Sequence, residues 1–179
     1  MKALVVGFGS IGKRHYDILA SSLGAHNVYI VTRRETSLKN SFDSLESVED
    51  ISGFDYFVIA SKTSEHYDDL KYINSKVFEK KILVEKPLYE SIKPNFKIFN
   101  QVFVAYNLRF HPLIIQCKER LRDKKIISAR FYAGQYLPMW RPDSDYRNSY
   151  SAKKEEGGGI LLDFSHDIDL VGYLLGEID

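Results

Sequence analysis

The sequence contains a single cysteine, Cys117, among 179 residues. One cysteine excludes a disulfide within the chain and is typical of proteins from a reducing compartment. The formal net charge is only +1, so no strong overall field favours nucleic acid or an anionic membrane as a partner. No apolar run approaches the roughly 18 residues that a membrane-spanning helix needs. These absences predict a cytoplasmic protein that binds neither nucleic acid nor a membrane.

The histidines give no metal-binding pattern. All five are scattered along the chain, and the lone cysteine has no C-x-x-C partner. Aspartates lie near His166, but carboxylates beside one histidine do not make a zinc motif. We therefore predict no metal site.

Short apolar runs alternate with helical spacing in the first part of the chain. The runs are β-branched or aromatic and lack polar alternation, as do strands buried on both faces of a parallel sheet; they cover residues 3–6, 28–32, 56–60, 82–84 and 102–106. Between them, one helix is expected to end at Gly24 and another to begin after a cap at Ser64. This alternation predicts an α/β fold, a doubly wound parallel sheet of the Rossmann type.

The pattern changes near residue 107. Leu113, Cys117 and Leu121 recur at steps of four and predict a helix. A strand is expected at residues 126–133, a long loop at 135–151 and a last helix after the glycines at 157–159. We expect a Rossmann domain over residues 1–107 and the start of an incomplete α+β substrate domain over residues 108–179.

A G-x-G-x-x-G run leaves the first predicted strand and opens the first predicted helix. It consists of Gly7, Phe8, Gly9, Ser10, Ile11 and Gly12. In this context the first glycine permits a tight turn, the second lets backbone approach a pyrophosphate, and the third allows close helix–strand packing. The run therefore predicts a dinucleotide site, and the alternative is an ordinary glycine turn.

The end of the second predicted strand bears on cofactor choice. NAD-selective sites place an acid there for the ribose hydroxyls. Here Thr32, Arg33 and Arg34 occupy that place, and the first acid is Glu35. A hydroxyl donor and two guanidinium groups suit a 2′-phosphate, which favours NADP(H). In the alternative, both arginines are surface charges and NAD(H) binds through backbone contacts.

Two further segments carry candidate chemistry. Lys86, in Glu85-Lys86-Pro87, follows the fourth predicted strand, where parallel sheets bind ligands, and it could exchange a proton with a substrate oxygen. His166 lies three residues from both Asp163 and Asp169, so either carboxylate could orient it on neighbouring helical turns. The alternative for Glu85-Lys86-Pro87 is an ordinary surface loop. The alternative for the segment around His166 is the start of a helix, where acidic residues interact favourably with the helix dipole.

In this order the motifs resemble the Gfo/Idh/MocA oxidoreductases, relatives of glucose–fructose oxidoreductase and inositol dehydrogenase. The resemblance covers the whole chain and rests on the glycine run, residues 60–63 with His66, the Glu85-Lys86-Pro87 triplet, residues 106–112 and residues 157–169. It implies hydride transfer between a nicotinamide cofactor and a carbinol or carbonyl carbon, usually of a sugar, cyclitol or derivative. Residues 135–142 and 145–147 are similar to a branch found among bacterial surface-sugar biosynthesis enzymes.

The resemblance also implies roles for single residues. Lys86 and His166 would be the acid/base residues, and Asp163 would position the substrate or the histidine. Cofactor contacts would come from the glycine run and from Thr32, Arg33, Arg34, Ala60, Ser61, Thr63, His66, Glu85, Lys86 and Asn107. Substrate contacts would come from Tyr106, Arg109, Trp140, Arg141 and Asp169.

The chain departs from the family pattern in two respects. His166 follows Asp163 by three residues where the family has four, and one residue rotates a helical side chain by about 100°. Lys86 is therefore the stronger acid/base assignment. Family members are also longer, so this chain would be a shortened form, a product of a split gene, or a natural short form completed by self-association.

Loss of the following strands would leave the predicted strand at 126–133 with an open edge and an uncovered face. We therefore expect a homo-oligomer. The alternative to an enzyme is a non-catalytic dinucleotide-binding module, acting as a sensor or as the partner of a missing chain.

Overall fold

The computed structural model describes residues 1–134, 136–140, 145–148, 152–154 and 158–176. The chain divides into two compact units, Met1–Ala105 and Tyr106–Asp179. Every helix in the described ranges is too short or too polar to span a bilayer.

The first unit is built on one sheet of six parallel strands. They are β1 (Ala3–Val6), β2 (Val28–Val31), β3 (Ser41–Phe42), β4 (Tyr56–Ile59), β5 (Lys81–Val84) and β6 (Gln101–Val104). Their order in the sheet is β3-β2-β1-β4-β5-β6, and every pair is parallel. This is the doubly wound order of the Rossmann fold, so the predicted fold class is confirmed. The sequence missed β3, because a two-residue strand with one serine has no apolar run to detect.

Both faces of the sheet are buried, as the continuous apolar runs predicted. Val5 of β1 lies in register between Ile30 of β2 and Val58 of β4, and these three form one core cluster. The alternate residues Leu4 and Phe57 belong to a second cluster on the other face. Because successive side chains of a strand point to opposite faces of the sheet, each strand contributes residues to both core clusters.

One helix covers each face. Helix α1 (Ser10–Leu23) packs Tyr16, Leu19 and Leu23 against the first cluster. It ends at Gly24, whose N–H donates to the Ala20 carbonyl over 3.0 Å, as predicted. Helix α2 (His66–Lys76) contributes Leu70 and Ile73 to the second cluster.

The predicted cap of α2 at Ser64 is wrong. Ser64 lies inside a 3₁₀ turn, Thr63–Glu65, and Glu65 occupies the position before α2. The turn is closed by the Glu65 N–H, which donates to the Lys62 carbonyl over 2.8 Å. The backbone therefore tightens into a 3₁₀ turn before the α-helix begins, which moves the helix start beyond Ser64.

The regular elements in the described part of the second unit are α-helices and 3₁₀ turns. A 3₁₀ turn at Asn107–Phe110 leads into α3 (Pro112–Leu121), which confirms the helix predicted from Leu113, Cys117 and Leu121. The others are α4 (Leu137–Trp140), α5 (Ile160–Asp163) and α6 (Ser165–Leu175).

Three predictions for the second unit are wrong. Residues 126–133 are all described and lie in neither strand nor helix, because a strand forms only where a neighbour completes its hydrogen-bond ladder. Part of the predicted loop at 135–151 forms α4 and a 3₁₀ turn, Tyr146–Asn148. The single last helix is two helices, separated at Phe164, whose φ of −96° and ψ of 25° are not helical.

Two glycines let α1 begin directly against the sheet. A Cβ at Gly12 would stand 2.0 Å from the Gly7 carbonyl oxygen. A Cβ at Gly7 would stand 2.5 Å from the Ala60 carbonyl oxygen, and Gly7 has φ of +90°. Because these neighbours are backbone atoms in strands or turns, neither can move aside for a side chain.

We predict that Gly12→Ala lowers the free energy of unfolding by about 2–4 kcal/mol, because the methyl group forces the first turn of α1 away from the Gly7 backbone. Urea denaturation followed by circular dichroism measures the change. Gly9→Ala is the matched control, since its φ is −78° and an added Cβ meets no atom within 4 Å; it should shift stability by less than about 1 kcal/mol. Equal stability of the two variants would contradict the packing role of Gly12.

Candidate functional site

The glycine run forms the turn between β1 and α1, where the order of strands reverses. β2 lies on one side of β1 and β4 on the other, and open α/β sheets bind ligands at such a switch point. Space beside Gly9 is open. Among the described residues, no side chain caps the first turn of α1. The turn therefore offers exposed backbone N–H groups and a partial positive charge to an anion such as a phosphate.

The other residues of the run differ in exposure. Phe8 packs edge-on against Tyr16, with ring centroids 5.7 Å apart. Ser10 and Ile11 begin α1 and are exposed. Phe8 thus anchors the turn on α1, while Ser10 and Ile11 are accessible to a ligand.

The end of β2 places one buried hydroxyl beside two arginines. The Thr32 hydroxyl accepts a hydrogen bond from the backbone N–H of Arg34 over 3.1 Å. The exposed Arg33 guanidinium lies 3.8 Å from the Glu65 carboxylate. An exposed ion pair of this kind is weak, so Arg33 can exchange Glu65 for another anion.

The loop after β4 is tied to α2 through Ser61. The Ser61 hydroxyl donates to the Asp69 carboxylate over 2.5 Å. Burial raises the pKa of Asp69 to about 6, while the Ser61 hydroxyl acts in the opposite direction. Ala60 and Thr63 are buried. Ser61 therefore uses its side chain to hold the loop against α2.

His66 joins two loops from inside the protein. Its Nε2 lies 3.2 Å from the Ser61 carbonyl oxygen, and its Nδ1 lies 3.1 Å from that of Pro87. The residue is 1% exposed, and burial lowers the pKa of its imidazole although these carbonyls oppose the shift. His66 thus has almost no surface for the cofactor that the resemblance assigned to it, and its contacts hold the loops after β4 and β5 together.

Glu85, at the end of β5, is bound to α1. Its Oε1 lies 2.7 Å from Nε2 of His15, and its Oε2 accepts the backbone N–H of Lys86 over 3.1 Å. The Lys86–Pro87 peptide bond is cis. The carboxylate of Glu85 is therefore used within the protein, and the candidate acid/base residue at this strand end is Lys86.

In the second unit, the predicted substrate residues Arg109 and Asp169 bind each other. Nε and one terminal nitrogen of Arg109 donate to the two carboxylate oxygens of Asp169. The carboxylate side chain is 7% exposed and the guanidinium 43%. This pair raises the pKa of Arg109. Asp169 therefore serves mainly to hold Arg109, whose outer face is accessible.

His166 packs edge-on against Tyr106, with ring centroids 5.7 Å apart. Burial raises the pKa of Tyr106. Asp163 is the last residue of α5 and His166 the second of α6, so the two do not share one continuous helix as their spacing suggested. The expected alternative partner, Asp169, is engaged by Arg109.

The other predicted substrate and cofactor residues lie elsewhere in the second unit. Asn107 begins the 3₁₀ turn before α3, and Trp140 ends α4. Arg141 lies outside the described residues.

Sequence reasoning missed two polar partners, His15 and Asp69. His15 lies in a helical repeat with Ile11 and Ile18, and its partner Glu85 is 70 residues away. Asp69 lies in a run of charged residues that resembles a solvated helix face. Helical phase gave a signal for His15, because it shares a face with Ile11 and Ile18, but no spacing identifies a partner on another element.

The family model described as an oxidoreductase family with an NAD-binding Rossmann fold, Gfo/Idh/MocA, matches residues 1–102. No curated protein matches the sequence. Three similar solved structures are two dehydrogenases and one transcriptional regulator.

The WlbA (WbpB) dehydrogenase from Thermus thermophilus, solved with NAD and UDP-GlcNAcA, has a TM-score of 0.71 at 22% identity, over 99% of this chain and 64% of that one. A levoglucosan dehydrogenase with NADH and L-sorbose has a TM-score of 0.70 at 22% identity, over 99% and 53%. The transcriptional regulator Gal80p from Kluyveromyces lactis has a TM-score of 0.66 at 23% identity, over 99% and 50%.

These structures share the fold of this chain, and the chain spans 64% of the first and about half of the other two. The family match covers more than half of the 179 residues. It includes the glycine turn, the ends of β2 and β4, and Glu85 to Pro87. The chain belongs to the Gfo/Idh/MocA oxidoreductase family.

Proposed function

We propose that this chain is an NAD(P)-dependent oxidoreductase, or the N-terminal part of one, that moves hydride between a nicotinamide cofactor and a sugar, cyclitol or sugar derivative. The observation that carries the proposal is the glycine turn at the switch point of the sheet. Gly7 and Gly12 are packed against backbone, whereas Gly9 has open space beside it. That division suits a backbone which must be close to the sheet on one side and to a pyrophosphate on the other.

The substrate class is supported by the similar structures and by Arg109. Two of those structures are dehydrogenases with UDP-GlcNAcA or L-sorbose bound. In this chain the Arg109 guanidinium is fixed by Asp169 and stands 5.7 Å from the Tyr106 ring. A fixed, partly exposed guanidinium can bind the hydroxyl or carboxylate oxygens of a sugar acid.

Proton transfer is assigned to Lys86. When bound, the nicotinamide accepts or supplies the hydride. In the oxidation direction the Lys86 amine takes the proton of the substrate hydroxyl at Nζ, and in the reduction direction it returns that proton to the carbonyl oxygen. In the second unit, His166 is the further acid/base candidate, with Asp163 as its positioning residue.

We predict that Lys86→Ala lowers the rate of hydride transfer by about 10²–10⁴-fold, since it removes the group that exchanges the proton. The assay follows the absorbance of reduced nicotinamide with UDP-GlcNAcA or L-sorbose as trial substrates. Lys81→Ala, at the exposed amino end of the same strand, is the matched control and should keep full activity. Turnover by Lys86→Ala at the rate of the unchanged chain would remove Lys86 from the chemistry.

For the cofactor, we propose a preference for NADP(H) over NAD(H). The end of β2 carries Thr32, Arg33 and Arg34, and the Arg33–Glu65 pair is weak enough to be replaced by a 2′-phosphate. The similar dehydrogenases were solved with NAD or NADH, so the two cofactors must be compared directly.

We predict that the double substitution Arg33→Ala and Arg34→Ala weakens NADPH binding at least about tenfold and NADH binding less than about threefold, because only NADPH has the charge that these arginines pair with. Isothermal titration calorimetry measures both dissociation constants. Lys71→Ala with Lys76→Ala removes two exposed charges from α2 and controls for net charge. Equal weakening of both cofactors would contradict the proposed role of the arginines in selecting NADP(H).

The alternative is a dinucleotide-binding sensor without catalysis, or a partner for another chain. It is supported by the similarity to Gal80p, which is a transcriptional regulator. Cofactor binding without turnover of any sugar, in a chain that retains Lys86, would favour this alternative.

We also propose a cytoplasmic protein that self-associates. Large apolar side chains of the second unit are exposed; among them Ile127 and Tyr132 are almost fully so. Patches of this kind are commonly covered by another subunit.

We predict that light scattering at high protein concentration gives a mass of at least two chains, because association would cover the exposed apolar side chains. A monomer under those conditions would contradict the proposed self-association.

A further inference from the structure

We propose that His15 and Glu85 form a positioning pair that sets Lys86 relative to the cofactor-binding turn. The pair has no place in the roles considered above, where Glu85 was a cofactor contact and His15 had none. The role of Lys86 in this inference rests on the proposed function. The contact between His15 and Glu85 is independent of that function.

The Glu85 carboxylate is bound on both sides. One oxygen lies 2.7 Å from His15 Nε2 and the other accepts the Lys86 backbone N–H. A carboxylate can only accept, so His15 donates from Nε2. The first contact therefore fixes the carboxylate, and the second fixes the peptide group from which Lys86 extends.

The pair joins elements that the sheet connects only indirectly. β4 lies between β1 and β5, so the hydrogen-bond ladder links the end of β5 to the turn after β1 through an intervening strand. His15, in the second turn of α1, makes the link directly. Since the N-terminus of α1 is the proposed pyrophosphate site, this contact sets the spacing between cofactor and lysine.

Burial strengthens the hydrogen bond between His15 and Glu85. The side chains of His15 and Glu85 are 19% and 13% exposed, so water competes poorly for either partner. A short hydrogen bond to a shielded carboxylate is among the stronger polar contacts in proteins. Loss of the donor would leave a nearly buried carboxylate free to turn away from the Lys86 N–H.

A second histidine holds the same segment from the other face of the sheet. His66, on α2, contacts the Pro87 carbonyl, one residue beyond Lys86. The segment is therefore held on its α1 side by His15 through Glu85 and on its α2 side by His66. His15 is the one of the two that acts through the residue directly before Lys86.

The test compares His15→Gln with His15→Asn. Both carry the same amide, but the glutamine amide nitrogen can stand where Nε2 stood, whereas asparagine is one methylene shorter. Hydrogen exchange of the Lys86 amide, followed by NMR, reports the bond to Glu85. Calorimetry with NADH and hydride transfer to or from the trial sugars report cofactor affinity and turnover.

We expect the Lys86 amide to exchange at least about tenfold faster in His15→Asn and within about threefold of the unchanged chain in His15→Gln. We expect turnover to fall in the asparagine variant alone, with NADH affinity changed less than about threefold in both. Equal exchange in the asparagine variant and the unchanged chain overturns the proposal, as does a glutamine variant that behaves like asparagine.

Two controls keep the result decisive. If His15→Asn does not fold, Glu85→Asp withdraws the carboxylate from the other side and must give the same rise in exchange. If no form of the chain binds NADH or NADPH, the proposed function fails, while the exchange of the Lys86 amide still decides whether the pair positions that residue.

Discussion

The first unit depends on one close contact, between the turn after β1 and the end of β4. Backbone atoms of Gly7 and Ala60 occupy the places where side chains at residues 12 and 7 would stand. Because the backbones approach so closely, α1 begins at the switch point of the sheet, with its N-terminus at the edge where the strands end. The open space beside Gly9 follows from the same geometry, since the packed side of the turn is fixed by the other two glycines.

Polar side chains then hold the loops that leave this edge. Ser61 is bound to Asp69, Glu85 to His15, and His66 lies between two loop carbonyls. Each contact joins residues from different elements, so each loop is fixed by a helix that also packs on the sheet. Because buried polar groups need hydrogen-bond partners, these contacts favour one arrangement of the loops at the strand ends.

Sequence patterns predicted the elements whose signal is local. Apolar runs gave five of the six strands, and the glycine run gave the turn at the switch point. Features that depend on a distant partner were not predictable. The bond from His15 to Glu85 spans 70 residues, and Asp169 was assigned to a ligand because its partner Arg109 is 60 residues away. Residues 126–133 have the composition of a strand, but composition cannot supply the neighbouring strand. The break between α5 and α6 at Phe164 could not be predicted either, because the apolar stripe is helical and residues 160–168 contain neither glycine nor proline.

The two units differ in how completely each covers its own apolar surface. In the first, both faces of the sheet are covered by its own helices, and the residues proposed to bind a dinucleotide's phosphates lie on backbone held by internal contacts. In the second, large apolar side chains such as Ile127 and Tyr132 stand exposed, so the described part of this unit leaves more of its apolar surface uncovered. The turn proposed to bind phosphates therefore needs no contact from the second unit to hold its shape. A shared fold does not by itself fix a function, and the solved structures with this fold include two dehydrogenases and a transcriptional regulator. The function of this chain must therefore be argued from its own side chains, among which the contacts at the ends of β4 and β5 are the ones fixed within the first unit.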